Sequence, residues 1–423
     1  MNKMNVECDV AIVGAGPVGT VLAGLLAQKG VSVFIADRSE DVYPMPRAAH
    51  FDHEIMRVFQ QLGIVDDIQD SIVSVGRYVF QNSAGEALLE FDASTPADTG
   101  WLSYMMHQPG IERALRNKLA ADPNVTFLTG TAFEGYEETA GRVVSRWQGA
   151  ASMSVTSSYL VGCDGGASMA RRAMGVRLDD MGFDEPWLVM DLVVTPENSF
   201  PDHNIQYCDP ARPTTYVVMG NSRRRFEFML KPGETPEGIV EDEAVAELLA
   251  PWNRDEILEV ERKAVYRFHA LVAERWNKGR VFLAGDAAHQ TPPFAGQGMC
   301  SGIRDAVALA WRIPLALHGL GGEALFASYQ AEREPHVRAI TGAAIETGRV
   351  VCTLDPAIAA MRDEKMRADK AAGLSSPPSS RRPSRSGSAL RIRRRPANAS
   401  FSRIWARGRA ACALTMCSAL RRG

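Results

Sequence analysis

The stretch from Asp9 to Asp37, DVAIVGAGPVGTVLAGLLAQKGVSVFIAD, constrains the fold of this chain more than any other. Val10 to Val13 is short, apolar and β-branched at three of its four positions, which predicts a buried parallel strand. Gly14, Gly16 and Gly19 follow in the G-x-G-x-x-G spacing, with Pro17 in the same turn. The first glycine permits a sharp turn, the second lets backbone approach a pyrophosphate, and the third lets the next helix pack closely on the strand. That helix runs to about Lys29, Gly30 caps it, and Val31 to Ala36 forms a second strand closed by Asp37. A phosphate would meet unpaired N–H groups and the positive end of the helix dipole at the helix start. Asp37, 18 positions after Gly19, would accept from a ribose hydroxyl. Strand, turn, helix, strand and acid together predict a dinucleotide site; the alternative is a doubly wound domain whose glycine turn holds no ligand.

Composition narrows the class. With 423 residues, 46% of them hydrophobic and 23% charged, the chain has material for two or three globular domains. Its net charge of −3 conceals an asymmetry. Residues 371–423 hold twelve Arg and no Asp, Glu or Lys, which leaves 35 basic against 50 acidic residues elsewhere and no basic surface for nucleic acid on the body. Seven scattered cysteines without a C-x-x-C pair predict neither a disulfide framework nor a zinc site, so no metal is expected, and the default compartment is a reducing cytoplasm. Val10 to Gln28 lacks charge over 19 residues, but four glycines and Pro17 inside it argue against a membrane span. Glu7 and Asp9 stand where a signal peptide would need its basic and apolar regions.

Further along, Tyr43 to His50 (YPMPRAAH) reads as a loop whose Arg47 either reaches a cofactor phosphate or is solvated. Helices are expected from Asp52 to Leu62 and from Gln108 to Leu119, with a hairpin over residues 76–92. Tyr159 to Gly166 (YLVGCDGG) is a strand ending in Asp164, which by itself reads as a turn acid. Between Trp187 and Phe268 the pattern alternates, predicting a mostly antiparallel sheet suited to wall a substrate pocket. Val281 to Ala284 is another buried strand, followed by GDAAHQTPPFAGQG and a long helix from about Met299.

Three spans together resemble one family. GAGPVG with Asp37, CDG at Cys163 to Gly165, and GDAAHQTPPFAGQG at Gly285 to Gly298 are similar to the fingerprints of the class A flavoprotein monooxygenases, aromatic hydroxylases of the p-hydroxybenzoate hydroxylase fold. The resemblance covers about residues 8–370, and its third motif is the most specific. It implies an α/β chain with a Rossmann-like, parallel-sheet FAD-binding domain (1–75, 105–185 and 270–345), a mostly antiparallel substrate-binding sheet (76–104 and 186–269) and a helical extension (346–370). It implies FAD as cofactor and NAD(P)H as a transient co-substrate. Carried over residue by residue, Gly14, Gly16, Pro17 and Gly19 would form the cofactor-binding turn at the pyrophosphate, and Asp37 with neighbouring Arg38 would hold the adenosine ribose. Arg47 and Gln108 would contact the phosphate and ribityl region, and Asp164 and Gly165 would help hold the pyrophosphate. Arg113, in the QPGIER stretch, is a weaker candidate. Gly285 and Asp286 would meet ribityl hydroxyls, while Pro293, Gly296, Gln297 and Gly298 would bring backbone N–H groups to the flavin ring at a helix start.

Within the family, PRAAHFDHEIMRVFQ, GWLSYMMHQPGIERALR and AGDAAHQTPPFAGQGMCSGIRDAVALAWR look like the 3-(3-hydroxyphenyl)propionate and 3-hydroxycinnamate hydroxylases. The implied reaction is NAD(P)H- and O2-dependent hydroxylation of a phenolic acid. No amino-acid nucleophile is needed. His53, His107, Tyr207 and Tyr216 are candidates for a catalytic proton acceptor near the phenol, and Arg223 to Arg225 either pair a substrate carboxylate or form a solvated face. Pro314 is expected to kink or end the long helix. Members of this branch commonly continue into a further domain, where this chain carries a Ser-, Pro- and Arg-rich segment. That composition predicts disorder and reads as translation in a shifted frame. Two alternatives stay open, a halogenase or reductase of the same fold and an inactive product of a frameshifted gene; the oligomeric state is open between monomer and homodimer.

Overall fold

The opening strand outruns its apolar core: β1 (Met4–Val13) pairs in parallel with a later strand along its length, from Met4↔Met153 to Val13↔Gly162. The structure, a computed structural model, describes residues 4–92, 96–220 and 222–373; the expected disordered segment falls almost wholly outside them. After β1 come α1 (Pro17–Ala27) and β2 (Val33–Ala36). Val31 and Ser32 stay outside the second strand, because the Ser32 hydroxyl and backbone N–H both donate to the Asp9 carboxylate.

β3 (His50–Asp52) runs into α2 (His53–Leu62), whose N-terminus Asp52 caps by accepting from the Glu54 and Ile55 amides. The hairpin β4 (Arg77–Gln81) and β5 (Ala87–Asp92) turns at Asn82, whose side-chain oxygen accepts from the Ala84 and Glu86 N–H groups. β6 (Ser103–Met106) pairs with β3 and leads into α3 (Gln108–Ala120). Next come β7 (Val125–Leu128), β8 (Ala132–Thr139), β9 (Arg142–Gln148), β10 (Ser152–Gly162) and the short α4 (Met169–Met174). The alternating region supplies β11 (Leu178–Val194), β12 (Asn204–Tyr207), β13 (Thr214–Val218), β14 (Arg223–Met229) and β15 (Ile257–Ala273). β16 (Val281–Leu283) precedes the helices α5 (Gly298–Leu317), α6 (Gly322–Val351) and α7 (Pro356–Ala371).

One sheet has the order β7-β2-β1-β10-β9-β8, with β16 alongside the C-terminal half of β10. Its parallel core of β7, β2, β1, β10 and β16 is covered on both faces, which is why β2 reads as an unbroken apolar run. The second sheet runs β15-β11-β14-β13-β12-β4-β5, antiparallel at every step except β12 beside β4. Its faces differ. Ile205, Tyr216, Phe226 and Phe228 pack with Phe200 and Trp252 in one apolar core. Asn204, Gln206, Thr215, Arg225 and Glu227 alternate onto the opposite face and line a cavity. Pro314 does not break α5, which continues through it to Leu317; the ring removes one N–H bond, that to the Ala310 carbonyl, close to the end of the helix. Among the described residues no helix is long and apolar enough to cross a membrane.

Candidate functional site

A continuous cavity of about 1070 Å3 extends from the turn after β1 to the polar face of the second sheet. That is more room than one small substrate needs. At its first end, Gly14 has φ +97°, and a Cβ there would stand 2.6 Å from the Cys163 carbonyl oxygen, so the turn after β1 fits against the end of β10 only without a side chain. A Cβ on Gly19 would stand 2.0 Å from the Gly14 oxygen. A Cβ on Gly16 would meet nothing within 4 Å, so backbone at this point is bare to the cavity. Gly16 is also the N-cap of α1, with Pro17 following, and no side chain caps the first turn. The Asp37 carboxylate accepts from the Ala15 and Ser39 N–H groups at 2.8 and 2.9 Å and lies 3.9 Å from Arg116, which itself donates to the Ala15 oxygen. Arg38 beside it is exposed and lines the cavity.

The loop bearing Arg47 is held from two sides. Gln108 accepts from the Arg47 and Ala48 N–H groups at 3.0 and 2.6 Å, while Arg225 donates to the Arg47 and Pro46 carbonyls at 3.0 and 2.5 Å. Gln108 therefore lines the cavity with its carbonyl already taken, and its amide donates to Glu112. The Arg47 guanidinium stays exposed over the Tyr43 ring. Asp164 lines the cavity, and its carboxylate also accepts from the Ser168 hydroxyl at 2.5 Å and from the Met169 and Ala170 N–H groups at 2.6 and 3.0 Å at the start of α4. Its neighbour Gly165 has φ +78°, and a Cβ there would meet nothing within 4 Å; this is the part of CDG with backbone bare to the cavity.

The third motif closes the far side. Gly285, at φ +63°, packs under Val18 of α1, and Asp286 follows it. The Asp286 carboxyl is reached by water in the cavity yet ringed by protein, and that enclosure raises its pKa, with His289 and Arg47 opposing. Pro293 opens a single 3-10 turn that ends at Gly296, φ +61°, where a Cβ would come 3.0 Å from the His50 ring. His50 spans from the Gly296 oxygen at 3.0 Å to the Ser103 hydroxyl at 2.9 Å, and burial lowers its pKa. Gln297 is the N-cap of α5 without a side-chain cap, and Gly298 presents bare backbone. Arg304 secures this helix start, donating to Gln297, Asp52 and Glu54 at 3.2, 2.5 and 2.9 Å.

Burial works to raise the Asp52 pKa, but the Arg304 charge and hydrogen bond outweigh it and hold the carboxyl down at about 2. A group depressed in the folded state stabilises above its unfolded value near 4 and loses that contribution as pH falls through its folded value. The stability difference between wild type and Asp52→Asn is therefore expected to shrink by about 2 kcal/mol between pH 5 and pH 2. Denaturant titrations of the ligand-free protein across that range check it; a constant difference would contradict the pairing.

Of the four proton-acceptor candidates, His53 alone lines the cavity. Tyr207 and Tyr216 sit one step along their strands from Gln206 and Thr215, which places them on the apolar face against Trp252. Tyr216 donates to the Pro201 carbonyl at 2.7 Å. His107 precedes α3 outside the cavity lining, and Arg113 is exposed on that helix away from it. The basic run is neither a solvated face nor a set of free cations: Arg223 pairs with Glu261, Arg224 donates to the Gly220 and Arg223 carbonyls, and Arg225 is buried against Asp191 at 2.7 Å. Sequence reasoning passed over Arg116, His50, Tyr78, Gln206, Thr215 and Glu227. The signal was there for Gln206 and Glu227, each a polar residue between two apolar ones in its strand.

Bare glycine backbone at positions 16, 165 and 298, two helix N-termini without side-chain caps and a strand-end carboxylate fit a flavin dinucleotide. The family model described as FAD binding domain matches residues 7–344. A curated protein of Rhodococcus jostii (strain RHA1), "Probable NADH-specific resorcinol 4-hydroxylase", is 42% identical over 371 residues, 86% of this chain and 69% of that protein. A "3-(3-hydroxy-phenyl)propionate/3-hydroxycinnamic acid hydroxylase" of Mycobacterium sp. (strain JLS) is 38% identical over 85% of this chain and 63% of its own length. This chain thus spans about two thirds of the length of these curated relatives. Among solved structures, aklavinone-11 hydroxylase with FAD and aklavinone superposes with a TM-score of 0.73 at 26% identity, covering 83% of this chain and 70% of that one. The p-nitrophenol 4-monooxygenase of Pseudomonas putida DLL-E4, at 22% identity, shares the fold with a TM-score of 0.78 over 86% of this chain and 94% of that one.

Proposed function

Because the chain belongs to the FAD-binding domain family, on the class A flavoprotein monooxygenase fold, we propose that it hydroxylates a phenolic ring using NAD(P)H and O2. The observation that carries this reading is the start of α5, where Gly296, Gln297 and Gly298 bring uncapped backbone to a cavity continuous with a polar-faced sheet. Bound FAD would supply hydride acceptance and oxygen activation. The chain's own residues bind, orient and exclude water. Gly16, Gly165 and Arg47 would hold the diphosphate, Asp37 the adenosine ribose, and Asp286 the ribityl chain. Phe80, Phe91, Phe268 and Phe294 wall the cavity beyond the helix start, which keeps water away from the reacting ring. Of the four expected proton acceptors His53 is the one that lines the cavity, where it would take a proton from a phenol. The name of the Rhodococcus protein supports NADH as the reductant.

The matched relatives are named for an uncharged diphenol in one case and for phenylpropionate and cinnamate acids in others. The sequence resemblance to the second group favours a 3-(3-hydroxyphenyl)propionate-like acid and the name of the Rhodococcus protein an uncharged diphenol; the charges that line the cavity bear on the choice. A panel of phenols screened for stimulation of NADH and NADPH oxidation, with products identified by mass, tests the function. The expected result is a yellow protein whose NADH oxidation is stimulated by a phenol and yields its hydroxylated product. Protein that stays colourless after incubation with FAD would overturn it.

A further inference from the structure

The cavity face of the second sheet carries a polar row that none of the cofactor contacts uses. Glu227 of β14 stands opposite Thr215 of β13, and Thr215 opposite Gln206 of β12. Thr215 donates to the Gln206 carbonyl at 2.7 Å, and the Gln206 amide donates to the Tyr78 hydroxyl at 2.5 Å. Tyr78 is thereby left with its O–H and no acceptor among the described residues. At the other end of the row, Glu227 is only 7% exposed, and its one charged contact among the described residues is Arg225, 3.9 Å away. Arg225 is itself committed to Asp191 and to the Pro46 and Arg47 carbonyls. The row thus offers a ligand one strong acceptor, one donor and no cation.

Most other arginines and lysines along the cavity already face a carboxylate. Arg267 pairs with Asp184, Arg362 with Asp363, Lys365 with Asp369 and Arg116 with Asp37. Among the described residues lining the cavity, Arg38 and Arg47 are the arginines or lysines without a carboxylate within 4 Å, and both belong to the cofactor-holding segment after Asp37. A carboxylate carried by the substrate would find no free partner at the sheet and would approach Glu227, and an uncompensated buried anion is costly. A phenolic hydroxyl would instead donate to Glu227 in a charge-assisted hydrogen bond, and a second hydroxyl on the ring would accept from Tyr78.

Building on the monooxygenase reading, we infer that Glu227 sets substrate class: it accepts a hydrogen bond from a hydroxyl of an uncharged, hydroxylated ring and turns away rings that carry a carboxylate. Burial raises the Glu227 pKa and Asp191 assists, while the Arg225 and Arg262 charges oppose and favour the anion that the acceptor role requires. Burial likewise raises the Tyr78 pKa, with the Gln206 bond opposing and the Glu227 charge assisting, which keeps the phenol a donor.

The test is a binding titration on the oxidised, FAD-loaded protein, read by the flavin absorbance, with 1,3-dihydroxybenzene and 3-(3-hydroxyphenyl)propionate as probes. Wild type is expected to bind the diphenol at least ~10-fold more tightly than the acid. Glu227→Gln keeps the shape and removes the charge, so it is expected to weaken the diphenol roughly 10-fold and tighten the acid by a similar factor. Glu227→Asp should restore the wild-type order. Opposite movements of two ligands are not what a general packing defect produces. Wild-type preference for the acid, parallel or absent changes in Glu227→Gln, or binding of neither probe would overturn the inference. Binding is read without turnover, so the expected pattern with no hydroxylated product would overturn the monooxygenase reading alone; hydroxylation with the acid preferred would overturn the charge selection alone.

Discussion

Gly16→Ala is expected to leave the ligand-free protein as stable as wild type, within about 0.5 kcal/mol, while weakening FAD at least ~100-fold. Gly16 has φ −76°, which alanine adopts freely, and its methyl would touch no protein atom within 4 Å. The same methyl would stand where diphosphate oxygens must approach the first-turn N–H groups of α1, and separating them forfeits charge-assisted hydrogen bonds. Gly19→Ala is the contrasting case. Its Cβ would lie 2.0 Å from the Gly14 carbonyl oxygen, a backbone atom that cannot rotate away, so α1 must move off the turn after β1. Stability and FAD affinity should then fall together, with about 1–3 kcal/mol lost in the ligand-free protein. Thermal unfolding without ligand and titration with FAD separate the two effects. Wild-type FAD affinity in Gly16→Ala would show that this turn does not take the diphosphate.

The second large effect is at Asp305, where Asp305→Asn is expected to cost 3 to 5 kcal/mol (roughly) of stability. This fully buried carboxylate accepts from His289 at 2.6 Å, from the Gly285 N–H at 3.1 Å and from Arg333 at 2.8 Å. It therefore ties the turn before Asp286 to α5 and α6, since Arg333 also donates to the Ser301 carbonyl. Burial works to raise the Asp305 pKa, but the His289 and Arg333 charges lower it, so the group is held as an anion. Asparagine keeps the volume and strands the Arg333 charge in the interior. The double variant Asp305→Asn, Arg333→Met should recover part of the loss. Chemical denaturation of the four proteins in the cycle measures the coupling, and a coupling near zero would contradict the arrangement.

Local chemistry made the first unit legible. The β-branched run, the three glycines and Asp37 act over fewer than thirty consecutive positions, and the turn they form in space is the turn they describe in sequence. The third motif was legible for the same reason, as glycines and prolines at the start of a helix. What sequence left open was parity and distance. Tyr216 and Thr215 are neighbours, and only the pairing register of β13 decides that Thr215 faces the cavity. The three arginines from Arg223 looked alike, yet Arg225 is the most deeply buried because Asp191, on the adjacent strand β11, and the Pro46 carbonyl converge on it. That Asp164 also accepts from the first N–H groups of α4 was not legible, because it depends on how the chain turns between Gly165 and Ser168.

The most direct measurement of the central claim is the fate of labelled oxygen. FAD-loaded protein is incubated with NADH, a phenol that stimulates its oxidation, and O2 enriched in heavy oxygen, and the product is weighed by mass spectrometry. The expected result is a ring-hydroxylated phenol carrying one labelled atom, with NADH consumed in proportion. Label absent from the ring, or NADH oxidised at the same rate with and without every phenol tried and yielding only hydrogen peroxide, would contradict the account.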